Sequence, residues 1–346
     1  MESVEHLIVG AGPAGLRAAQ VLAEAGREVL VLEKHEEIGP KTCAGGLTRK
    51  TMGELQSLGL PVADTLPSVG HVAFAGGRAV ALDAAATVVH TIARRDLGRH
   101  QLAWTQAAGA EVRAGVAAGE IDPASRTAVA GGRQVRWRHL IGADGADSAV
   151  RRALGLPCPR EYFAAEYNVP GIRLDPLRVE CDPGSLANGY FWVFPHASYT
   201  SVGAVAPRHL VAPPAVRRYL ERRMERLGVR RDGVPFEGAT LEVAYRGCHF
   251  RGDVHLVGDA AGVVSSLTAE GIYAALVTAE EVARGILEPG APAPKTARWL
   301  RTKRRHDRLA RWLARPRPRD VTLGALARAA ATPALRRPLA AWFLQG

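Results

Sequence analysis

Gly10-Ala11-Gly12-Pro13-Ala14-Gly15 stands between the apolar run His6-Leu7-Ile8-Val9 and a stretch of helix-forming composition from Leu16 to Ala25. A second apolar run, Val29-Leu30-Val31-Leu32, follows and ends at Glu33. The order is strand, tight turn, helix, strand, the opening of a dinucleotide-binding unit. In such a unit the first glycine makes the turn, the second lets the backbone approach a pyrophosphate, and the third lets the helix pack on the strand. The helix N-terminus then offers free N–H groups to the anion. Glu33 lies 18 residues beyond Gly15, where its carboxylate is placed to accept hydrogen bonds from ribose hydroxyls. A lone Gly-x-Gly-x-x-Gly fits an ordinary turn as well, so the reading rests on the elements around it.

Outward from this turn, the chain has 346 residues, enough for two cores, and its 47% apolar and 23% charged composition is that of a globular protein. No run approaches the ~18 uninterrupted apolar residues of a membrane span, and the first strand starts too early for a signal peptide, so a cytoplasmic location is expected. Cys43, Cys158, Cys181 and Cys248 are isolated and form no zinc pattern, so reduced thiols and no metal are expected. Charge is uneven. Lys295 to Gly346 carries 14 Lys and Arg against Asp307 and Asp320, a net +12 in a chain of +11. The preceding body is therefore near neutral, and the cationic character belongs to the tail.

Lys41-Thr42-Cys43-Ala44-Gly45-Gly46-Leu47 is a loop whose paired glycines let backbone lie against a flat ligand. Val72-Phe74 and Ala79-Leu82 read as strands around a Gly76-Gly77 turn, in a piece that leaves the first domain. Val88-Ile92 is another strand, and Arg94 to Ala107 has helical spacing, with Arg94 or Arg95 at its start as a phosphate or ring-oxygen contact. His139 to Arg152 repeats the pattern of strand, Gly/Asp turn and helix, with Ser148 as a cap. Between Gly155 and Arg246 strand-like runs dominate, with a helix from Leu210 to Leu227. Asp253-Val257 then runs into the small-residue turn Gly258-Asp259-Ala260-Ala261-Gly262, and a helix is expected from Glu270 to Ile286. Tyr190-Phe191-Trp192-Val193-Phe194 alternates, which as a strand puts Tyr190, Trp192 and Phe194 on one face.

Gly10-x-Gly12-x-x-Gly15, Gly142-Ala-Asp144-Gly145-x-x-Ser148-x-Val150-Arg151 and Gly258-Asp259-Ala-Ala-Gly262 resemble, in order and spacing, the three FAD-binding motifs of the flavoprotein hydroxylase superfamily. Within it, Cys43-Ala-Gly45-Gly46-Leu47, Tyr190-Phe-Trp192-Val-Phe194-Pro195 and Leu267-Thr268-x-Glu270-Gly271-Ile272 are similar to the loops of the geranylgeranyl reductase family, over roughly residues 1 to 290. The resemblance implies an α/β fold: a Rossmann-like FAD-binding domain (1–66, 86–154, 247–290), an interleaved α+β substrate domain on an antiparallel sheet (67–85, 155–246), and a basic helical C-terminal tail (291–346). It implies FAD held by Gly10, Gly12, Ala14, Gly15, Glu33, Lys34, Cys43, Ala44, Gly45, Arg94, Asp144, Gly145, Gly258, Asp259, Gly271 and Ile272. Glu33 takes the adenosine ribose, Asp144 and Gly145 lie by the pyrophosphate, and Asp259 holds the ribityl chain. The family's Arg-x-x-Phe-Asp becomes Arg94-Arg-Asp-Leu97-Gly98 here.

The implied reaction is reduction of isolated carbon–carbon double bonds in an isoprenoid lipid or quinone. Hydride from reduced flavin must be matched by a proton to the other alkene carbon; the Cys43 thiol is the candidate donor, with Tyr190 or water as substitutes. Tyr190, Trp192 and Phe194 form the expected substrate wall. NAD(P)H, or another small reduced donor, is expected to visit transiently, since no second glycine-rich nucleotide motif occurs. A flavin monooxygenase acting on an aromatic or polyketide is the nearest rival; a halogenase is a weaker one, because Tyr190 and Phe194 depart from its Gly-Trp-x-Trp-x-Ile-Pro. A redox-silent FAD scaffold and a nucleic-acid-binding flavoprotein are further alternatives, although no specific nucleic acid is expected. Around Trp299, Leu300 and Leu309 to Leu313, apolar residues interleave with seven Lys and Arg. Such a basic amphipathic helix suits an anionic membrane surface, giving a peripheral location on the inner face. Packing on the body is the alternative. Pro316, Pro318, Pro333 and Pro338 are expected to break the remainder into short pieces.

Overall fold

The computed structural model describes residues 1–74, 78–81, 88–159, 161–250, 252–332 and 334–335. The chain opens with β1 (Glu2–Val9), α1 (Pro13–Glu24) and β2 (Val29–Leu32), then β3 (Gly46–Leu47), α2 (Arg49–Ser57), β4 (Leu66–Phe74), β5 (Arg78–Ala81) and β6 (Val88–Thr91). It continues through α3 (Arg94–Ala107), β7 (Glu111–Arg113), β8 (Ala118–Asp122), β9 (Thr127–Ala130), β10 (Arg133–Gly142) and α4 (Ala149–Ala153). Next come β11 (Tyr162–Pro170), β12 (Leu177–Cys181), α5 (Pro183–Leu186), β13 (Tyr190–Pro195), β14 (Tyr199–Pro207), α6 (Pro213–Arg226) and β15 (Glu237–Leu241). The last elements are β16 (His249–Phe250), β17 (Val254–Leu256), α7 (Ile272–Leu287), α8 (Pro294–Leu313) and α9 (Pro316–Ala331).

The strands form two sheets. One runs β16-β17-β10-β1-β2-β7, with a β8-β9 hairpin attached to β10. Its centre is parallel: β1 pairs with both β2 and β10, and β10 with β17. Strands buried on both faces need continuous apolar runs, which explains why Val29–Leu32 and Leu7–Val9 do not alternate. Helices α1, α3 and α7 pack together over this sheet. A buried ion pair fastens two of them, with Arg17 Nη2 2.9 Å from Glu280 Oε2.

The other sheet runs β15-β11-β14-β13-β12-β4-β6-β3 and is antiparallel except where β12 meets β4. Helix α6 covers one face. Val216, Tyr219, Leu220 and Met224 pack there against Phe191, Val193, Val202 and Ala204. The opposite face carries Trp192, Val205 and Tyr162 and meets Val264 of the first domain.

Three sequence expectations change. Val88–Thr91 was placed with the FAD domain from residue 86, but β6 pairs with Leu66–Val69 of β4 and with β3, so it belongs to the second sheet. Pro316 and Pro318 do not shorten the tail: they occupy the first turn of the 16-residue α9, where a missing N–H costs nothing. Pro333, Pro338 and the Gly76-Gly77 turn lie outside the described residues. The apolar side of α8 faces inward, burying Trp299, His306, Ala310 and Leu313, so it packs on the body and its apolar stripe is not free to enter a bilayer.

Histidines form a row across the first sheet. The rings of His6 and His139 stack at 5.4 Å and those of His139 and His255 at 5.7 Å, and His249 Nδ1 lies 2.9 Å from His255 Nδ1. Burial pushes His255 down to about 3, and likewise pushes His196 and His306, elsewhere in the fold, down to about 4. An unfolded chain takes up protons at these histidines below about pH 6.5, whereas the folded chain resists until about pH 4. Stability is therefore full above about pH 6.5 and falls as pH drops from there towards 4. The thermal midpoint should fall by several degrees between pH 7 and pH 5, read by circular dichroism; a flat profile across that window would contradict neutral buried histidines.

Candidate active site

The glycine turn works because two side chains are missing. Gly10 has φ +102°, and a Cβ there would stand 2.5 Å from the Ala143 carbonyl oxygen and 2.9 Å from Asp144 Cα. A Cβ on Gly15 would sit 1.8 Å from the Gly10 carbonyl oxygen. Gly12 differs. It caps α1 in an extended conformation with Pro13 next, no side chain caps the helix, and the space beside its Cα is open. The α1 N-terminus thus presents uncapped N–H groups to open space, the setting for a pyrophosphate.

Around this turn the ends of three strands deliver side chains. Glu33 follows β2, and its carboxylate accepts the N–H groups of Ala11 (2.8 Å) and His35 (3.0 Å). These bonds fix it and leave lone pairs for a ribose. Lys34 is exposed beside it. Asp144 follows β10. Its backbone adjoins Gly10, while its carboxylate accepts from Ser148 Oγ (2.5 Å) and the N–H groups of Ala149 (2.6 Å) and Val150 (3.2 Å). Burial pushes that carboxyl up, and these donors oppose the shift. Asp144 thus organises the start of α4, and Gly145 turns beside it at φ +79°. Ser148 caps the helix as expected, accepting the Arg151 N–H at 2.9 Å. Past β17, Gly258 at φ +59° packs against Ala14, and Asp259 pairs with Lys41 at 3.1 Å. Gly271 caps α7, which begins at Ile272.

Arg94 is the first residue of α3. It is 9% exposed, and its Nε is buried without a hydrogen-bond partner. The departure from Phe-Asp to Leu97-Gly98 has a local cause: a Cβ on Gly98 would stand 2.4 Å from Gly39 Cα, so the helix touches the loop after β2 backbone to backbone.

Pro13, Arg94, Asp259, Gly271 and Ile272 open into a cavity whose far wall is Tyr190, Trp192 and Phe194. The 43–46 loop forms part of the lining between. Alternation along β13 holds, since Phe191 and Val193 lie in the core under α6. Tyr190 donates its hydroxyl proton to the Thr268 carbonyl at 2.7 Å, and burial pushes its ionisation far up. Cys43 Sγ accepts the Gly45 N–H at 3.4 Å. His196, directly after the aromatic motif, lies 2.9 Å from the Ala44 carbonyl through Nε2 and stacks on Tyr199. The sequence reading missed His196, Glu166 and Gly203. Only His196 had a signal, its adjacency to Pro195.

An uncapped helix N-terminus beside open space, a fixed acidic group at the end of β2 and the buried, unpartnered Nε of Arg94 together fit a dinucleotide carrying a flavin. If Arg94 meets that ligand, Arg94→Ala removes a charge-assisted contact of about 1.5–3 kcal/mol and weakens FAD binding roughly ten- to a hundredfold. Titration of apoprotein with FAD by fluorescence quenching checks this; an unchanged affinity would place Arg94 outside the site.

Comparison with known proteins agrees. Residues 3–290 match the family model described as FAD binding domain. The chain is 31% identical over 300 residues to digeranylgeranylglycerophospholipid reductase 1 of Methanopyrus kandleri, covering 78% of this chain and 77% of that protein. It is also 31% identical over 311 residues to menaquinone reductase of Mycobacterium tuberculosis, covering 80% and 75%. Its fold is that of a geranylgeranyl bacteriochlorophyll reductase-like protein from Thermoplasma acidophilum, at TM-score 0.77 and 22% identity over 99% and 96% of the two chains. A p-nitrophenol 4-monooxygenase from Pseudomonas putida shares the fold at TM-score 0.74 and 20% identity, over 98% and 97%. The chain belongs to the FAD-binding-domain family of flavoprotein oxidoreductases, among its geranylgeranyl reductase members.

Proposed function

We propose that this enzyme saturates isolated carbon–carbon double bonds in the isoprenoid chain of a lipid or quinone. The observation that carries the reading is one cavity running from Pro13 at the start of α1 to the face of Tyr190, Trp192 and Phe194, with Cys43 on its wall. Relatives named as reductases of digeranylgeranylglycerophospholipid and menaquinone support it.

FAD, when bound and reduced, supplies a hydride to one alkene carbon. The π bond breaks, and a proton must reach the other carbon, so that two new C–H bonds form and the carbon–carbon single bond remains. We assign that proton to the Cys43 thiol, because the Tyr190 proton is already committed to the Thr268 carbonyl. The Gly45 N–H on the sulfur helps hold the charge left when the proton departs. The apolar residues Leu177, Val179, Val205 and Leu241 around the aromatic rings exclude water and suit a hydrocarbon chain. The reductant is NAD(P)H or another small reduced donor that visits and leaves.

The tail adds a membrane reading. Among the described residues no helix is long and apolar enough to cross a membrane. On α8 the outward side carries exposed Arg301, Arg304, Arg305, Arg308 and Arg311, with Trp312 51% exposed. With the apolar stripe turned inward, we assign contact with anionic lipid to this arginine face and Trp312, each cation contributing on the order of 1 kcal/mol.

Incubation of reduced holoenzyme with a geranylgeranyl lipid or polyprenyl quinone should give products heavier by two hydrogens per bond, read by mass spectrometry; gain of oxygen would establish the monooxygenase instead. Cys43→Ser should lower turnover about a hundredfold or more if the thiol is the proton donor, and full turnover would remove it from the mechanism. In flotation assays the protein should rise with liposomes rich in phosphatidylglycerol and not with neutral ones, the difference fading at high salt; equal behaviour with both would end the membrane reading.

A further inference from the structure

Behind the cavity wall lies a buried carboxylate that the reaction above does not use. Glu166 is fully buried on β11, two residues from the cavity-lining Ala164 and therefore on the same face of the strand. Its Oε1 accepts the backbone N–H of Cys43 at 2.7 Å. Its Oε2 accepts the Ser201 hydroxyl at 2.7 Å, and Ser201 Oγ accepts the Trp192 indole N–H at 2.8 Å. One carboxylate thus holds two objects on different parts of the chain: the loop bearing the thiol and, through a serine, the indole of the aromatic wall. Strand register makes this reach feasible. Glu166 and Trp192 both pair with Gly203 of the intervening β14, and a Cβ on Gly203 would stand 2.1 Å from the Trp192 ring. The indole lies across that gap and arrives at Ser201.

A carboxylic acid in a dry interior would be cheaper neutral, and burial pushes Glu166 up. Donors from Ser201 and Cys43 oppose that shift. Retaining an acid at this cost, where an amide could also hydrogen-bond, needs two acceptors facing two donors. Cys43 N–H can only donate. Ser201, whose oxygen takes the indole proton, has its own proton to give.

We propose that Glu166 is a positioning residue that sets the Cys43 loop against the Trp192 wall, and so fixes where a chain held on that wall lies relative to the thiol. The inference rests on the reductase reading for its kinetic arm and is independent of it for its chemical arm. In the chemical arm, holoenzyme is alkylated with iodoacetamide and Cys43 modification is followed by peptide mass spectrometry. Glu166→Gln offers one acceptor where two are needed, and should change the Cys43 alkylation rate about fivefold or more while FAD absorbance is retained. Ser201→Ala cuts only the indole arm and should leave that rate as in the wild type. In the kinetic arm, Ser201→Ala should raise KM for the polyprenyl substrate severalfold with kcat nearly kept. Glu166→Gln should lower kcat about tenfold or more, as misplacement near an ångström does.

An unchanged Cys43 alkylation rate in FAD-loaded Glu166→Gln would overturn the proposal. If that variant does not fold, Ser201→Ala decides: unchanged KM, or a Cys43 alkylation rate altered about fivefold or more, overturns it. Should the wild type reduce no polyprenyl substrate, the reductase reading falls, and the alkylation result alone judges Glu166.

Discussion

Backbone touching backbone at the end of β1 is the constraint on which everything else rests. Gly10 meets Ala143 and Asp144, and Gly15 meets Gly10; any side chain would wedge β1, α1 and β10 apart. Overpacking normally costs ~1–3 kcal/mol because side chains shift to make room, but here the obstruction is carbonyl oxygen that cannot rotate away. With the contact made, the ends of β2, β10 and β17 converge on the α1 N-terminus, and Glu33, Asp144 and Asp259 arrive from positions far apart in sequence. Arg151 then fastens the arrangement. Fully buried, it donates to the carbonyls of Pro157, Ala244 and Ala260, tying α4 to segments on either side of the domain junction.

The second sheet shows how one strand serves two environments. Along β13, odd and even residues divide between α6 and the cavity, so core packing and cavity lining fall to opposite faces of the same six residues. Phe191 and Val193 secure the strand, while Tyr190, Trp192 and Phe194 are free to be chosen for what they face. Polar anchors fix two rings of that wall. Tyr190 is tied to Thr268 and Trp192 to Ser201, which restricts ring motion without filling the cavity.

Much of this was legible in sequence because local patterns carried it. Glycine spacing, the apolar runs of the parallel strands, and the alternation at 190–194 each follow from the geometry of a single element. The helix bounds at Arg94–Ala107 were read directly. What was not legible depended on partners remote in the chain. Val88–Thr91 looks like any short strand, and only its pairing with β4 assigns it to the second sheet. Glu166 sits in a run of otherwise ordinary strand residues, and its importance appears only when Cys43, 123 positions away, donates to it. The Arg-rich spacing of α8 gave the right element but left open whether its apolar stripe met a membrane or the body, since amphipathicity does not say what the apolar side meets.

Helix α8 bears on what counts as the unit of this protein. Similarity to the FAD binding domain stops at residue 290. Yet past that point the Trp299 indole donates to the Val263 carbonyl at 2.9 Å and the buried Lys303 ammonium to the Val243 carbonyl at 2.6 Å. Asp307 and His306 hold Ser266 and Ser265, within the loop that runs to Thr268 and Gly271. Where the receiving groups are main-chain carbonyls, present whatever side chain a position carries, the docking imposes little demand on the sequence beneath it. Such a joint can be kept while its residues drift beyond recognition. The part of the chain that folds together therefore extends past the part that the family model matches.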